Sequence, residues 1–299
     1  MFKYLMPFVL FFNMAAFAQN PDLFRPFYFN PYVFNAAYCG SGGYTEIELV
    51  HRQQWVNVNN APSASAFIFQ YPTQKRLSLG LNYVGQEAVG LRTSSLMTSA
   101  AYRIPLSTYQ YLSFGLSLGV GVNRLDLDNA DYSNDPTILQ AVGNTGYADG
   151  NFGVVYTLNQ LKIGFALTRL FGHSYFRRGT LGNTRFTQLK NQLYSIRYKF
   201  SLARGIAIEP YFLYRLSHDY QNAWEASTVF HLYEKFAVGG SYHNTKGFAL
   251  LIGMTIKDKI RFSYSYEFPP FDNDFGSVSS HEFHLGMRFG KYKEMDNKN

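Results

Sequence analysis

The sequence predicts an all-β protein, a transmembrane antiparallel β-barrel of about fourteen strands, and three observations carry that expectation. In the stretch YLSFGLSLGVGVNR, Leu112, Phe114, Leu116, Leu118, Val120 and Val122 fall on one phase, while Ser113, Gly115, Ser117, Gly119, Gly121 and Asn123 fall on the other. The period is 2, which marks a strand with a single apolar face. Second, charged residues are only 16% of the chain while aromatics reach 18%, through 28 Phe and 24 Tyr. That excess suits two belts at a membrane interface better than a soluble core. Third, the links between period-2 segments alternate short and long, as they do in barrels with one turn side and one loop side.

Taken in order, Lys3, the apolar run Tyr4 to Met14, and Ala16 and Ala18 ahead of Gln19 make residues 1–18 an export signal. No later stretch approaches 18 uninterrupted apolar residues, so no transmembrane helix is expected. Residues 19–43 form a leader. Its stretch FRPFYFNPYVFNAAYCGSGG, Phe24 to Gly43, packs seven aromatics around two prolines without period 2 or 3.6. Proline keeps such a segment out of a sheet interior, and its apolar surface must be covered. It is therefore expected to pack at the periplasmic mouth, enter the lumen as a plug, or hold a partner.

The barrel is expected over 44–289, with strands near 44–53, 63–71, 77–85, 94–104, 111–124, 148–158, 161–170, 191–200, 206–216, 223–233, 235–243, 247–256, 259–268 and 280–289. Tilted strands of about ten residues cross a bilayer. The less bulky phase carries Arg103, Lys162, Arg197, Lys199, Glu209, Arg215, Glu225, Arg261, Glu267, Glu282 and Arg288, which calls for a polar lumen rather than a dry core. Tyr156, Tyr198, Tyr214, Trp224, Tyr242 and Phe289 lie at the ends of the apolar phase, as aromatic girdles do. With the start inside, every periplasmic link has six residues or fewer, whereas the outward links include 125–147 and 171–190. A charged tail, 290–299, closes the chain.

Candidate chemistry is sparse. In SHEFH, His281 and His284 are three apart on a strand and so face opposite ways, unlike two zinc ligands on one helix face. The acidic loop DLDNADYSNDP, Asp126 to Pro136, departs from a calcium loop at Ala130 and Asp131. GHSYF, Gly172 to Phe176, lacks the second glycine of a nucleophile elbow, so no catalytic residues are assigned. Cys39 is the only cysteine, which excludes an internal disulfide, and a packed, buried role is expected for it. The net charge of +7 is spread singly along strands and turns, so no nucleic-acid partner is expected. No metal or cofactor is expected either.

The leader also carries a resemblance. YFNPYVFNAAYCGS, Tyr28 to Ser41, followed in order by HRQQW (His51 to Trp55), LSLGLNYVGQEAVG (Leu77 to Gly90), YRIPLS (Tyr102 to Ser107), LSFGLSLG (Leu112 to Gly119), NFGVVY (Asn151 to Tyr156) and HEFHLGMRF (His281 to Phe289), resembles the PorP/SprF family of Bacteroidetes outer-membrane proteins. Ala36 stands where the family usually has Pro, and Cys39 where it usually has a small Ala. The resemblance implies a non-enzymatic barrel serving type IX secretion and gliding motility. Its implied partners are the secretion machinery or a secreted surface adhesin, beside outer-membrane lipid. The competing expectation is a passive diffusion or uptake channel. The expected partner or plug site comprises Phe27, Tyr28, Phe29, Asn30, Pro31, Phe34, Asn35, Tyr38 and Gly40 of the leader, with Arg52, Gln54 and Trp55 on and after the first strand.

Overall fold

The computed structural model describes residues 28–73, 76–88, 90–125, 143–172, 185–186, 191–217, 222–244, 247–268 and 278–290. Export segment 1–18, Phe27, calcium-loop candidate 126–136, His173 with Ser174, and tail 291–299 lie outside them.

Fourteen strands run in chain order. They are β1 Thr45–Gln53, β2 Ser63–Pro72, β3 Leu77–Ala88, β4 Leu91–Ser107, β5 Gln110–Leu125, β6 Gly143–Leu158 and β7 Leu161–Leu167. There follow β8, Asn191–Tyr198 continued past Lys199 by Phe200–Ala203, then β9 Ile206–Ser217, β10 Ala223–Leu232, β11 Phe236–His243, β12 Gly247–Ile256, β13 Ile260–Glu267 and β14 Ser280–Phe289. Each pairs antiparallel with its sequence neighbours, and β1 pairs with β14 from Thr45↔Phe289 to Gln53↔His281, which closes the barrel. Closure leaves no sheet edge, the condition for backbone in hydrocarbon. Phe171–Gly172 and Arg185–Phe186 form a small separate ribbon.

The expected sorting of faces is present. Leu116, Leu118 and Val120 are 46%, 49% and 58% exposed, while Ser117 between them is 4% exposed. The same inversion holds on β3, where Leu77, Leu79 and Tyr83 face out and Ser78 is buried, and on β13, where Ile260 and Phe262 face out and Ser263 and Ser265 are buried. Exposed apolar side chains on a closed barrel are solvated by lipid, so this surface is membrane-facing. Trp224 stacks with Phe212 at 6.2 Å and meets Tyr242 at 5.7 Å near one rim. Tyr198 and Phe200, 4.3 Å apart, lie near the other.

Links 108–109, 159–160, 204–205, 233–235 and 257–259 gather at one rim, here the short-turn rim, and the strand ends Leu125, Gly143, Leu167 and Asn191 lie at the opposite, long-loop rim. Tyr233 with Glu234 and Lys257 with Asp258 take positive φ in pairs, the backbone of a tight hairpin whose twist matches that of the strands. Strands exceed their expected ends toward the long-loop rim. β4, β5 and β6 have 17, 16 and 16 residues, and only 89–90 separate β3 from β4, not 86–93. Polar residues such as Gln86, Glu87, Arg92 and Thr93 read as loop, yet they continue the ladder as cross-strand pairs, with Glu87 and Arg92 joined at 3.0 Å. A strand beyond the bilayer no longer needs an apolar face, so periodicity in hydropathy underestimates its length.

Candidate functional site

The leader occupies the lumen. Two short 3-10 turns, Pro31–Val33 and Ala36–Tyr38, are each started by an asparagine. Asn30 Oδ1 accepts from the Tyr32 amide at 3.2 Å, and Asn35 Oδ1 accepts from the Ala37 amide at 2.9 Å. Asparagine does this because its short side chain reaches the otherwise unpaired amides of a first turn. Pro31 follows at the first position, where an N–H would be orphaned. Ala36 holds the equivalent place in the second turn, so the missing proline leaves the turn intact.

The other ends of these side chains fasten the leader to the wall. Asn30 Nδ2 donates to Glu48 Oε2 of β1 at 2.8 Å, and the Tyr28 hydroxyl donates to Glu209 Oε2 of β9 at 2.7 Å. Burial and the Glu209 carboxylate push the Tyr28 hydroxyl far above its ordinary pKa, so it stays a donor. Tyr32 donates to Ser99 Oγ of β4 at 2.8 Å, Asn35 Nδ2 to the Phe165 carbonyl of β7 at 3.1 Å, and the Gly40 amide to Gln70 Oε1 of β2 at 2.8 Å. Arg197 lies over the Tyr28 ring, 5.1 Å from its centroid, and Phe29 meets the His284 ring edge-on at 5.4 Å. Phe34 packs beneath, against the buried clusters on both sides of the lumen.

The wall is thinned to admit it. A Cβ on Gly115 would overlap the backbone of Ala36 and Ala37, and one on Gly153 would overlap the Asn35 amide. Glycine at these lumen-facing positions is what allows leader backbone to lie directly on strand backbone. Cys39 is buried beside Tyr32 against Gly80, and burial pushes its thiol up to about 12.

The leader lies between two cavities. One of about 420 Å³ opens toward the short-turn rim and is lined by Tyr28, Asn30, Tyr32 and Tyr38 together with wall charges. One of about 160 Å³ on the long-loop side is lined by Val33 and Phe34 with Asn82, Tyr147, Asp149 and Arg215.

The eleven expected site residues that are described, all but Phe27, are therefore not one cluster. Tyr28, Phe29, Asn30, Pro31, Phe34, Asn35, Tyr38 and Gly40 lie together in the lumen. Arg52 is on the wall, further toward the long-loop rim, and bonds Glu267 at 2.5 Å and Glu282 at 3.3 Å. The Gln54 amide bonds the Pro62 carbonyl and the Trp55 amide bonds Ser280 Oγ, both past the outer end of β1. β1 leaves the leader at the short-turn rim and rises about nine residues before reaching them, and that length separates the two groups.

A relay of charges connects Arg52 to the leader. Glu282 bonds His284 at 2.7 Å, His284 bonds Glu48 at 2.9 Å, and Glu48 holds Asn30. Here the inward charges depart from expectation. Glu282 is fully buried and Arg52 and Glu48 nearly so, which charges tolerate because each is paired rather than hydrated. Sequence reading missed Glu48, Gln70, Ser99, His231 and the glycines as leader contacts. Their inward phase was visible, but their partners were not. His281 and His284 do point apart, His281 to Tyr264 on the lipid face at 2.7 Å and His284 to the lumen.

Solved structures share the fold. Acinetobacter baumannii outer membrane protein Omp33 is 9% identical, covering 82% of this chain and 98% of its own, with a TM-score of 0.50. The CymD monoaromatic hydrocarbon channel is 12% identical, covering 87% and 92%, at 0.53. The Pseudomonas putida toluene transporter TodX is 8% identical, covering 86% and 93%, at 0.51. Such identities show the fold alone, a barrel of the outer membrane. No curated protein matches the chain. Residues 16–287 match the family described as type IX secretion system membrane protein PorP/SprF, and with nearly the whole length of this outer-membrane barrel covered, the chain belongs to that family.

Proposed function

We propose that this barrel is a non-enzymatic component of type IX secretion that works through protein contacts, in the export or surface attachment of a secreted adhesin or in linking the outer membrane to periplasmic machinery. The observation that supports it is the leader fastened across the lumen by Asn30 to Glu48 and Tyr28 to Glu209. A lumen so filled suits a docking platform better than a conduit. Segment 1–18 directs export, the short-turn rim faces the periplasm, and loops 125–147 and 171–190 meet the secreted protein. The leader acts as plug and partner surface, with Arg52 behind it through the charge relay and Gln54 and Trp55 at the outer rim.

Conductance of the purified full-length protein in planar bilayers tests this reading. The expected record is closed or only briefly opening. A large, steady conductance would identify a diffusion channel of the sort named for TodX and CymD instead. Co-purification from native membranes with mass spectrometry then names the partner, and secretion-machinery subunits or a large surface protein are expected.

A further inference from the structure

The cavity of about 420 Å³ on the short-turn side is unbalanced in charge. Six Lys and Arg but four Glu line it, an excess of two positive charges. The imbalance sits in one sector. Lys162 on β7 is directly opposite Arg197 on β8, and Lys199 is two residues further along β8 on the same face. Opposed like charges destabilise a strand pair unless a counter-charge is supplied.

The local counter-charge is Glu209, and both its oxygens are engaged. Oε1 bonds Arg197 Nε at 2.7 Å and its terminal nitrogen at 2.6 Å, while Oε2 takes the Tyr28 hydroxyl at 2.7 Å and His231 at 3.0 Å. Across the chamber, Glu46 pairs with Arg288 and Glu48 with Arg261, so those carboxylates are occupied too. Glu234 and Lys235 are adjacent on the exposed turn and offset each other. Three cations thus share one carboxylate. Lys162 and Lys199 both line the chamber, and the described residues give neither side chain an acceptor. The Tyr38 hydroxyl of the leader, buried at the same chamber, has no partner in hydrogen-bond geometry among the described residues.

We propose that this chamber is a binding site for a small dianionic oxyanion, a phosphate or phosphate monoester, held by Lys162 and Lys199. Two uncompensated ammonium groups match a dianion in charge, and each is a strong donor to phosphate oxygen. The leader lies across the inner end of the chamber, so the ligand enters and leaves by the short-turn mouth. The wall screens the chamber from lipid headgroups, so the ligand is a soluble one.

The test is calorimetric titration of the full-length protein in zwitterionic nanodiscs at low salt, with inorganic phosphate, glycerol 1-phosphate and acetate. Saturable phosphate binding is expected, at least tenfold tighter than acetate. Tighter binding of glycerol 1-phosphate would assign a monoester, and equal or weaker binding the free ion. Lys162→Gln and Lys199→Gln should each weaken phosphate at least tenfold, whereas Lys257→Gln, on an exposed turn outside the chamber, should leave it unchanged. Heat-modifiable mobility on gels verifies that each variant is folded, and either single variant suffices if the other fails. Absence of saturable phosphate binding by the wild type, binding no tighter than acetate, or unchanged affinity in both lysine variants would overturn the site.

Discussion

Asn30 joins its own turn to the barrel wall: its Oδ1 caps the Pro31–Val33 turn through the Tyr32 amide at 3.2 Å, while its Nδ2 holds Glu48 Oε2 at 2.8 Å. One side chain thus shapes the leader and anchors it. Removing it loses a cap and a hydrogen bond to a charged acceptor, together about 2–4 kcal/mol. Asn30→Ala should loosen the leader while the strands stay paired, because Arg261 and His284 still neutralise Glu48. The labelling rate of Cys39 by a maleimide on the folded protein reads this directly. A rise of about tenfold or more is expected, and an unchanged rate would mean that the leader is held elsewhere.

The thiol itself supplies the baseline. Burial pushes Cys39 up to about 12, against about 8.5 for a free cysteine. A raised value means that the neutral thiol is the form the fold favours. Its contribution is complete below about pH 8.5 and is lost as the pH climbs toward 12. At pH 8 the folded wild type should resist iodoacetamide, and the unfolded chain should react fully. Mass spectrometry of the alkylated protein checks both.

Gly153 tests the fit between wall and leader. Any side chain there collides with the Asn35 side-chain amide, which also bonds the Phe165 carbonyl of the neighbouring strand β7. Gly153→Leu should expel the leader, raise Cys39 labelling and open a measurable conductance, with the barrel still heat-modifiable. Leu118→Ala, on the lipid face of β5, should do none of these. Conductance that stays closed in Gly153→Leu would show that the lumen is blocked by something other than this contact.

Arg52 is expected to matter for stability rather than for the leader's seat. It is 2% exposed between Glu267 and Glu282. Arg52→Met would leave Glu282 and Glu267 with only their histidine partners, His284 and His243, at a cost of up to about 3 kcal/mol. Equilibrium denaturation in detergent should show that loss, and adding Glu282→Gln should recover part of it. A fully additive double variant would mean that the pair is not coupled.

What the chain determined by itself is its strands. Alternation on β5 or β13 is a local property of consecutive residues, so lipid face, lumen face, strand number and the separation of His281 from His284 were all legible. The Asn-Pro leader was legible as something unable to enter the sheet. Where it goes was not, because its anchors are distant in sequence: Tyr28 and Glu209 are 181 residues apart, and Asn35 and Phe165 are 130 apart. Only barrel closure brings them within reach. For the same reason, the inward charges could be counted along the chain, but their partners could not be named. Pairing across a lumen depends on strand register and barrel radius, and neither is written in any one segment.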